Sequence, residues 1–171
     1  MQNWYVLSHN PTKYQSLERH LSALDVEIYC PMYTELKPRQ DRPSLRKKSK
    51  RLFDGYVFLR FDPEVVHTTT ITALSGASEF IRFGSSTPYV VDSRLIAALK
   101  QASLLRVDRH LRIIECRNMS DELVQELQFI VDMRNRSLRQ QAFFNLLEQQ
   151  MYLSRLGRSG AKQALIYTAL A

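Results

Sequence analysis

Residues 51–84, RLFDGYVFLRFDPEVVHTTTITALSGASEFIRFG, decide the fold. In Tyr56-Val57-Phe58-Leu59-Arg60-Phe61, side chains alternate between the two sides of a strand. Val57, Leu59 and Phe61 therefore share one side, and Tyr56, Phe58 and Arg60 share the other. A strand apolar on both sides has to be covered twice. One side suits a domain core; the other, with Tyr56 and Phe58, needs a second cover or stands as a binding patch.

The next residues change character. Asp62-Pro63-Glu64 reads as a helix start, with Asp as N-cap, Pro at the first position and an acid in the first turn. Gly76 is a natural stop. The segment between is nearly all β-branched and forms helix poorly. His67, Thr68, Thr69 and Thr70 put four hydrogen-bonding groups in a row, more than a core could satisfy. Two readings stand: an exposed, irregular helix start with local Thr-to-backbone bonds, or a polar clamp on a partner's backbone.

Working outward, Trp4–Leu7 is a short strand, and Thr12 can cap a helix with Leu17, Leu21 and Leu24 at helical spacing. Val26–Cys30 is a second strand, ending at Pro31. The Tyr56–Phe61 strand, the Asp62-capped helix and a strand through Phe80–Phe83 complete the order βαββαβ. That order predicts an α+β domain of the ferredoxin-like split type, with helices on one sheet face and the other face bare. Asp92-Ser93 starts a third helix with Leu95, Ile96 and Leu99 on one side.

The net charge of +7 is concentrated in one place. Residues 37–51, KPRQDRPSLRKKSKR, hold Lys37, Arg39, Arg42, Arg46, Lys47, Lys48, Lys50 and Arg51 against one acid, so the rest of the chain is close to neutral. Pro38 and Pro43 predict a long loop, read as a basic arm facing a polyanion, with nucleic acid met through its phosphates. At 171 residues and 44% apolar, the chain suits one domain plus a small appendage. Cys30 and Cys116 lack motif spacing and read as two reduced thiols in a cytoplasmic protein. The start of the chain has no signal-peptide pattern, and no apolar run reaches membrane-spanning length, so no membrane partner is expected.

Catalysis finds no support in the residues. His9, His20, His67 and His110 are dispersed, with no metal-ligand spacing to either cysteine. No phosphate-binding or nucleophile motif occurs. Asp62 and Glu64 serve better as helix-start acids than as a catalytic pair. The expectation is a monomeric binding protein with no catalytic residue, no metal and no cofactor.

Residues 101–110 read as a linker, and beyond them the pattern is helical. Ser120-Asp121-Glu122 precedes Leu123, Val124, Leu127, Ile130 and Val131 at the 3.6-residue period. Leu138, Ala142, Phe143, Leu146, Leu147 and Met151 repeat it, after a turn at Met133–Ser137 and before a stop near Gly157. The prediction is an α-helical hairpin within 111–158, followed by a tail, 159–171. Such a hairpin cannot bury its apolar face alone. The simplest solution docks it on Tyr56 and Phe58, masking that face.

FDPEVVHTTTITALSGASEFIRFG, the preceding FDGYVFLRF, Trp4-Tyr5-Val6-Leu7 and Cys30-Pro31-Met32 together resemble the N-terminal domain of NusG-family transcription elongation factors over about residues 1–100. Within the family they are similar to the RfaH-like branch, including plasmid-borne members of the ActX type. The resemblance implies a KOW-derived C-terminal domain, normally a five-stranded β-barrel. This chain has no glycine from Ser85 to Leu156, which disfavours the tight turns of a barrel. In the RfaH-like branch this region packs as a helical hairpin and refolds to a barrel on release. Leu111–Glu115, Gln128–Asp132, Gln140–Leu147 and Gln149–Ser154 would allow strands in such an alternative state.

The resemblance also implies roles. Tyr56 and Phe58 would meet the β′ clamp helices of RNA polymerase, and His67 to Thr70 the β gate loop, suppressing pausing and termination (antitermination). Non-template DNA would be met by Trp4, Lys13, Arg19, His20 and Arg82, and a refolded C-terminal domain could recruit the ribosome. Here Asn10 stands where a lysine is expected, and Ala23, Leu24, Leu74 and Ser75 stand where polar or basic contacts are expected. Lys50 stands where the acidic partner of an interdomain salt bridge is expected. The alternative function is a free nucleic-acid-binding module using the 37–51 arm.

Overall fold

The computed structural model describes residues 1–39, 44–107, 111–115 and 120–158. Arg42, His110, Cys116 and the 159–171 tail lie outside the described residues. The elements in chain order are β1 (Asn3–His9), α1 (Tyr14–Ala23), β2 (Glu27–Tyr29), β3 (Met32–Pro38), β4 (Leu45–Arg51) and β5 (Tyr56–Phe61). They continue with α2 (Thr68–Thr72), β6 (Ala77–Phe80), β7 (Val90–Val91), α3 (Ser93–Gln101), β8 (Ser103–Val107) and β9 (Leu111–Glu115). Two helices close the described chain, α4 (Asp121–Asp132) and α5 (Arg136–Arg158).

The fold is mixed α+β with two sheets. The first runs β2-β5-β1-β6, with β7 also on β1, and every pairing is antiparallel. Trp4 faces Arg60 and Val6 faces Phe58 across the central pair, so the alternation of β1 and β5 stays in phase. Tyr5, Leu7, Val57, Leu59 and Phe61 pack with Tyr14, Leu17 and Leu21 of α1 and Ile71 of α2. Trp4, Val6 and Phe58 belong to a separate cluster with Leu95, Ile96 and Leu99 of α3, Leu127, Ile130 and Val131 of α4, and Phe143, Leu146 and Leu147 of α5. The strand is covered on both sides, as its two apolar sets require.

Several local expectations need correction. The 37–51 segment is not a loop: Leu45–Arg51 pairs with Met32–Pro38 as an antiparallel ribbon. Pro38 is tolerated as the last residue of its strand, and an edge strand rich in lysine resists further pairing. Nor are residues 103–107 an aperiodic linker, because β8 runs parallel to β3 and pairs with β9, making a second sheet of order β4-β3-β8-β9. Leu104 is buried in the cluster shared with α4 and α5. Its strand character comes from a neighbour distant in sequence, so no local period announces it.

The helix starts also shift. Asn10, not Thr12, accepts the backbone N–H bond of residue 12, at 3.0 Å, capping a single 3-10 turn, Pro11–Lys13, ahead of α1. Asp62 makes a turn, with its Oδ1 accepting from Glu64 N at 3.1 Å, and α2 starts only at Thr68 with His67 as N-cap. Val65 is exposed and Val66 half-buried in the turn that precedes α2. β6 lies at Ala77–Phe80 rather than Phe80–Phe83, immediately after Gly76. Gly76 has φ +95°, and a Cβ there would lie 2.7 Å from Lys13 Cβ, so glycine both turns the chain and lets it pass α1. Asp92 and Ser120 cap α3 and α4 as expected, accepting from Arg94 N at 2.8 Å and Leu123 N at 3.3 Å. α5 ends at Arg158, near Gly157 as expected.

Candidate partner-docking face

The side of β5 that carries Tyr56 and Phe58 is covered by α5. Phe143 of α5 is fully buried and meets Phe53 in a stack of 4.0 Å between ring centroids, tilted 22°. The same ring lies 5.6 Å from Tyr56 and 5.8 Å from Phe58, the latter edge-to-face at 86°. Phe144 reaches Tyr56 edge-to-face at 5.2 Å. These are separations and tilts at which aromatic quadrupoles attract. Phe58 also stacks on Tyr29 at 6.0 Å, so one side chain is shared between its own sheet and α5.

Polar groups rim this contact. Arg136 Nε is 3.6 Å from Asp54 Oδ2, and Gln140 Nε2 donates to the Asp54 carbonyl at 3.2 Å. Among the described residues, Arg136–Asp54 is an ion pair across the contact. Lys50 instead pairs with Glu35 at 2.6 Å inside the ribbon. Gly55 follows Asp54 with φ +92°, letting the chain turn back into β5 beneath Arg136. On the far side Lys100 Nζ sits 4.8 Å over Trp4 and 2.7 Å from Glu27, whose carboxyl is held below the usual range by Lys100 and Arg60. Burial pushes the Cys30 thiol up to about 11, so it is an inert apolar filler rather than a nucleophile.

The expected site residues separate into groups. Phe58 is buried and Tyr56 half-buried under α5. His67, Thr69 and Thr70 are exposed on α2, which packs through Ile71 against the opposite sheet face. Thr68 is half-buried there. His67 Nδ1 lies 2.7 Å from Thr69 Oγ1 and accepts from Thr69 N. Lys13, Arg19 and His20 are exposed along α1. Arg82 is exposed but donates to the carbonyls of Ser86 and Phe80 in its own loop.

Trp4 does not join the α1 group. It is 6% exposed, lies on the Phe58 side of the sheet, and is closed over by Tyr29 and Lys100. Strand parity puts position 4 with 6, away from α1. Asn10 is used as a cap, Ser75 Oγ lies 3.5 Å from Lys13 Nζ, and Leu24 and Leu74 pack against the core beneath α1 and α2. In the ribbon Lys37, Arg39, Arg46, Lys47 and Lys48 are exposed, and Arg51 stacks over the Tyr14 ring at 3.7 Å. Sequence reasoning missed Phe53 and Asp54 as parts of the face. Their only local signal is the Phe-Asp-Gly turn into β5. Among the described residues no group of three His, Cys, Asp or Glu could hold a metal ion, and no helix is long and apolar enough to cross a membrane.

The family model described as NusG, transcription termination factor nusG, matches residues 2–100, more than half of the chain. The chain belongs to the NusG family. It is therefore a transcription factor of the termination and elongation class, non-enzymatic as a family, with RNA polymerase as the indicated partner. The NusG match ends within α3; Leu95, Ile96 and Leu99 of α3 cover part of the Tyr56 and Phe58 side from inside it, while Phe143 and Arg136 come from beyond it.

Proposed function

We propose that this NusG-family chain is an elongation factor that suppresses pausing and termination by bridging RNA polymerase. Tyr56 and Phe58 bind the β′ clamp helices, and His67, Thr68, Thr69 and Thr70 bind the β gate loop. The supporting observation is that the aromatic face inside the matched region is covered by Phe143 from outside it. A sheet face made of large rings, shared among Phe53, Tyr56 and Phe58, suits exchange of one apolar cover for another. Buried aromatic anchors of this kind contribute about 2 kcal/mol or more each at a protein interface.

On this reading residues 1–100 form a ferredoxin-like RNA polymerase-binding domain of split βαβ type, and α4–α5 form a hairpin that masks its binding face. Release of the hairpin activates the factor, and the freed region takes up the KOW-type barrel and recruits the ribosome. The RfaH-like branch is the natural place for such a device. Lys13, Arg19 and His20, on the α1 surface, contact non-template DNA and recruit the factor to its operons. Trp4 has no part in that contact.

The test is capture of core polymerase by the full chain and its variants. Phe143→Ser should increase capture several-fold, and Tyr56→Ser with Phe58→Ser should abolish it. Equal capture by all three would remove the bridging model. The exposed bases of β4 favour a second reading, a free nucleic-acid-binding module. There, neutralising Arg46, Lys47 and Lys48 would remove activity, and affinity would fall with salt at a slope of about −5 for six phosphates.

A further inference from the structure

A cleft of about 840 Å³ opens between the β3–β4 ribbon and the turn joining α4 to α5. Lys37, Lys50 and Arg51 line it from the ribbon, and Arg134 and Arg139 from the helical side. Two carboxylates, Glu35 and Asp54, also line it, leaving three cations in excess. Lys50 and Lys37 lie 2.6 Å and 3.6 Å from Glu35, which anchors the ribbon side. Arg139 Nη1 donates to the Met133 carbonyl at 3.0 Å, which fixes the helical side at the end of α4.

We infer that this cleft binds a compact oligophosphate ligand, and that filling it holds the α4–α5 pair on the sheet. Its volume lies within the roughly 300–1,000 Å³ of small-molecule sites. The exposed Arg134 guanidinium is a planar fork that matches phosphate geometry two bonds at a time, with Lys37 and Lys50 lining the ribbon side. Packing α4–α5 against the sheet brings like charges together across the cleft. An anion between them cancels that repulsion only in the packed arrangement, so it binds that arrangement better and shifts the population toward it. The site itself stands on the geometry; the coupling to activity rests on the docking model proposed above.

The test is calorimetric titration of the full chain with sodium tripolyphosphate at about 0.15 M salt. Arg134→Ser and Lys37→Ser, both at exposed positions, should each weaken binding about tenfold, the loss of one charge-assisted contact. Tripolyphosphate should also slow amide exchange in α5 of the parent chain and not in the Arg134→Ser variant. Unchanged affinity in both variants would overturn the site, as would an equal loss on changing Arg46 and Lys48 on the outer ribbon. A thymidine oligonucleotide that competes with tripolyphosphate and is weakened by Arg134→Ser would identify a nucleic acid as the phosphate source. An oligonucleotide that binds where tripolyphosphate does not would overturn the site. Phe143→Ser separates the two proposals. If it changes neither affinity nor polymerase capture, the docking model has failed and the cleft stands. If Arg134→Ser and Lys37→Ser both leave affinity unchanged, the cleft has failed whatever capture shows.

Discussion

The two faces of the β1–β5 pair are both dry, yet they are closed by very different parts of the chain. Leu59 and Val57 sit against α1 and α2, which lie within the NusG-matched residues and a short stretch of sequence away. Phe58 and Tyr56 meet the Phe143 and Phe144 rings of α5, some 85 residues on, and Phe58 shares its cluster with α3 as well. The Val57 and Leu59 side is covered by α1 and α2 from within the matched residues, with Tyr5, Phe61 and Phe80 among its packed rings. The Tyr56 and Phe58 side has a cover drawn in part from beyond the matched residues.

The sharpest way to break this contrast is to cut one cover at a time. Phe143→Ala removes the ring at the centre of the α5 contact and should cost about 3–5 kcal/mol, the range for large buried aromatics. The loss should read as faster amide exchange confined to α4 and α5, with β1 and β5 still protected. Global unfolding instead would mean that the two covers are equivalent. Leu59→Ala is the reciprocal change at a fully buried aliphatic position. It should cost about 3 kcal/mol and lower the denaturant midpoint of the whole 1–100 region.

A third test uses pH. The His9 ring is 5% exposed and lies 5.1 Å from the Tyr14 ring. Burial lowers its pKa, helped by Arg51 and Arg136 and opposed by Asp54 and the Asn10 backbone. A depressed histidine pKa means the unfolded chain takes up the proton first. Stability is therefore full above the unfolded value of about 6.5 and falls as pH drops below it, by at most about 1.4 kcal/mol per pH unit. His9→Gln should flatten urea-unfolding stability between pH 7.5 and 5.5; an unchanged slope would remove His9 as its source. The smallest effect is expected at the rim. Arg136→Ser breaks a half-exposed pair with Asp54 and should change α5 exchange by less than about 1 kcal/mol, diminishing further in salt.

How much of this was legible beforehand can be traced residue by residue. The parity of Tyr56–Phe61, the caps at Asp92 and Ser120, and the apolar rows of α4 and α5 are local patterns, and local patterns print themselves in sequence. Leu138 shows the limit: it fits the helical row but is 57% exposed, since only packing decides how wide the buried stripe is. The ribbon strand Leu45–Arg51 was hidden because seven mostly charged residues carry no alternation. β8 was hidden because its partner is β3, about 70 residues upstream. Trp4 was assigned to DNA by resemblance although its own strand parity places it with Val6 and Phe58.

By itself the sequence determined that one strand would be apolar on both sides, that a helical pair with an unburied face would follow, and that positive charge would gather at 37–51. These are consequences of periodicity and composition. Only the tertiary structure decided that Phe143 is the ring that closes over Phe53, Tyr56 and Phe58, that Arg136 pairs with Asp54, and that β8 joins β3 beside the basic ribbon. Contacts between residues far apart in the chain depend on how whole faces fit in space, and no local spacing of residue types encodes that fit.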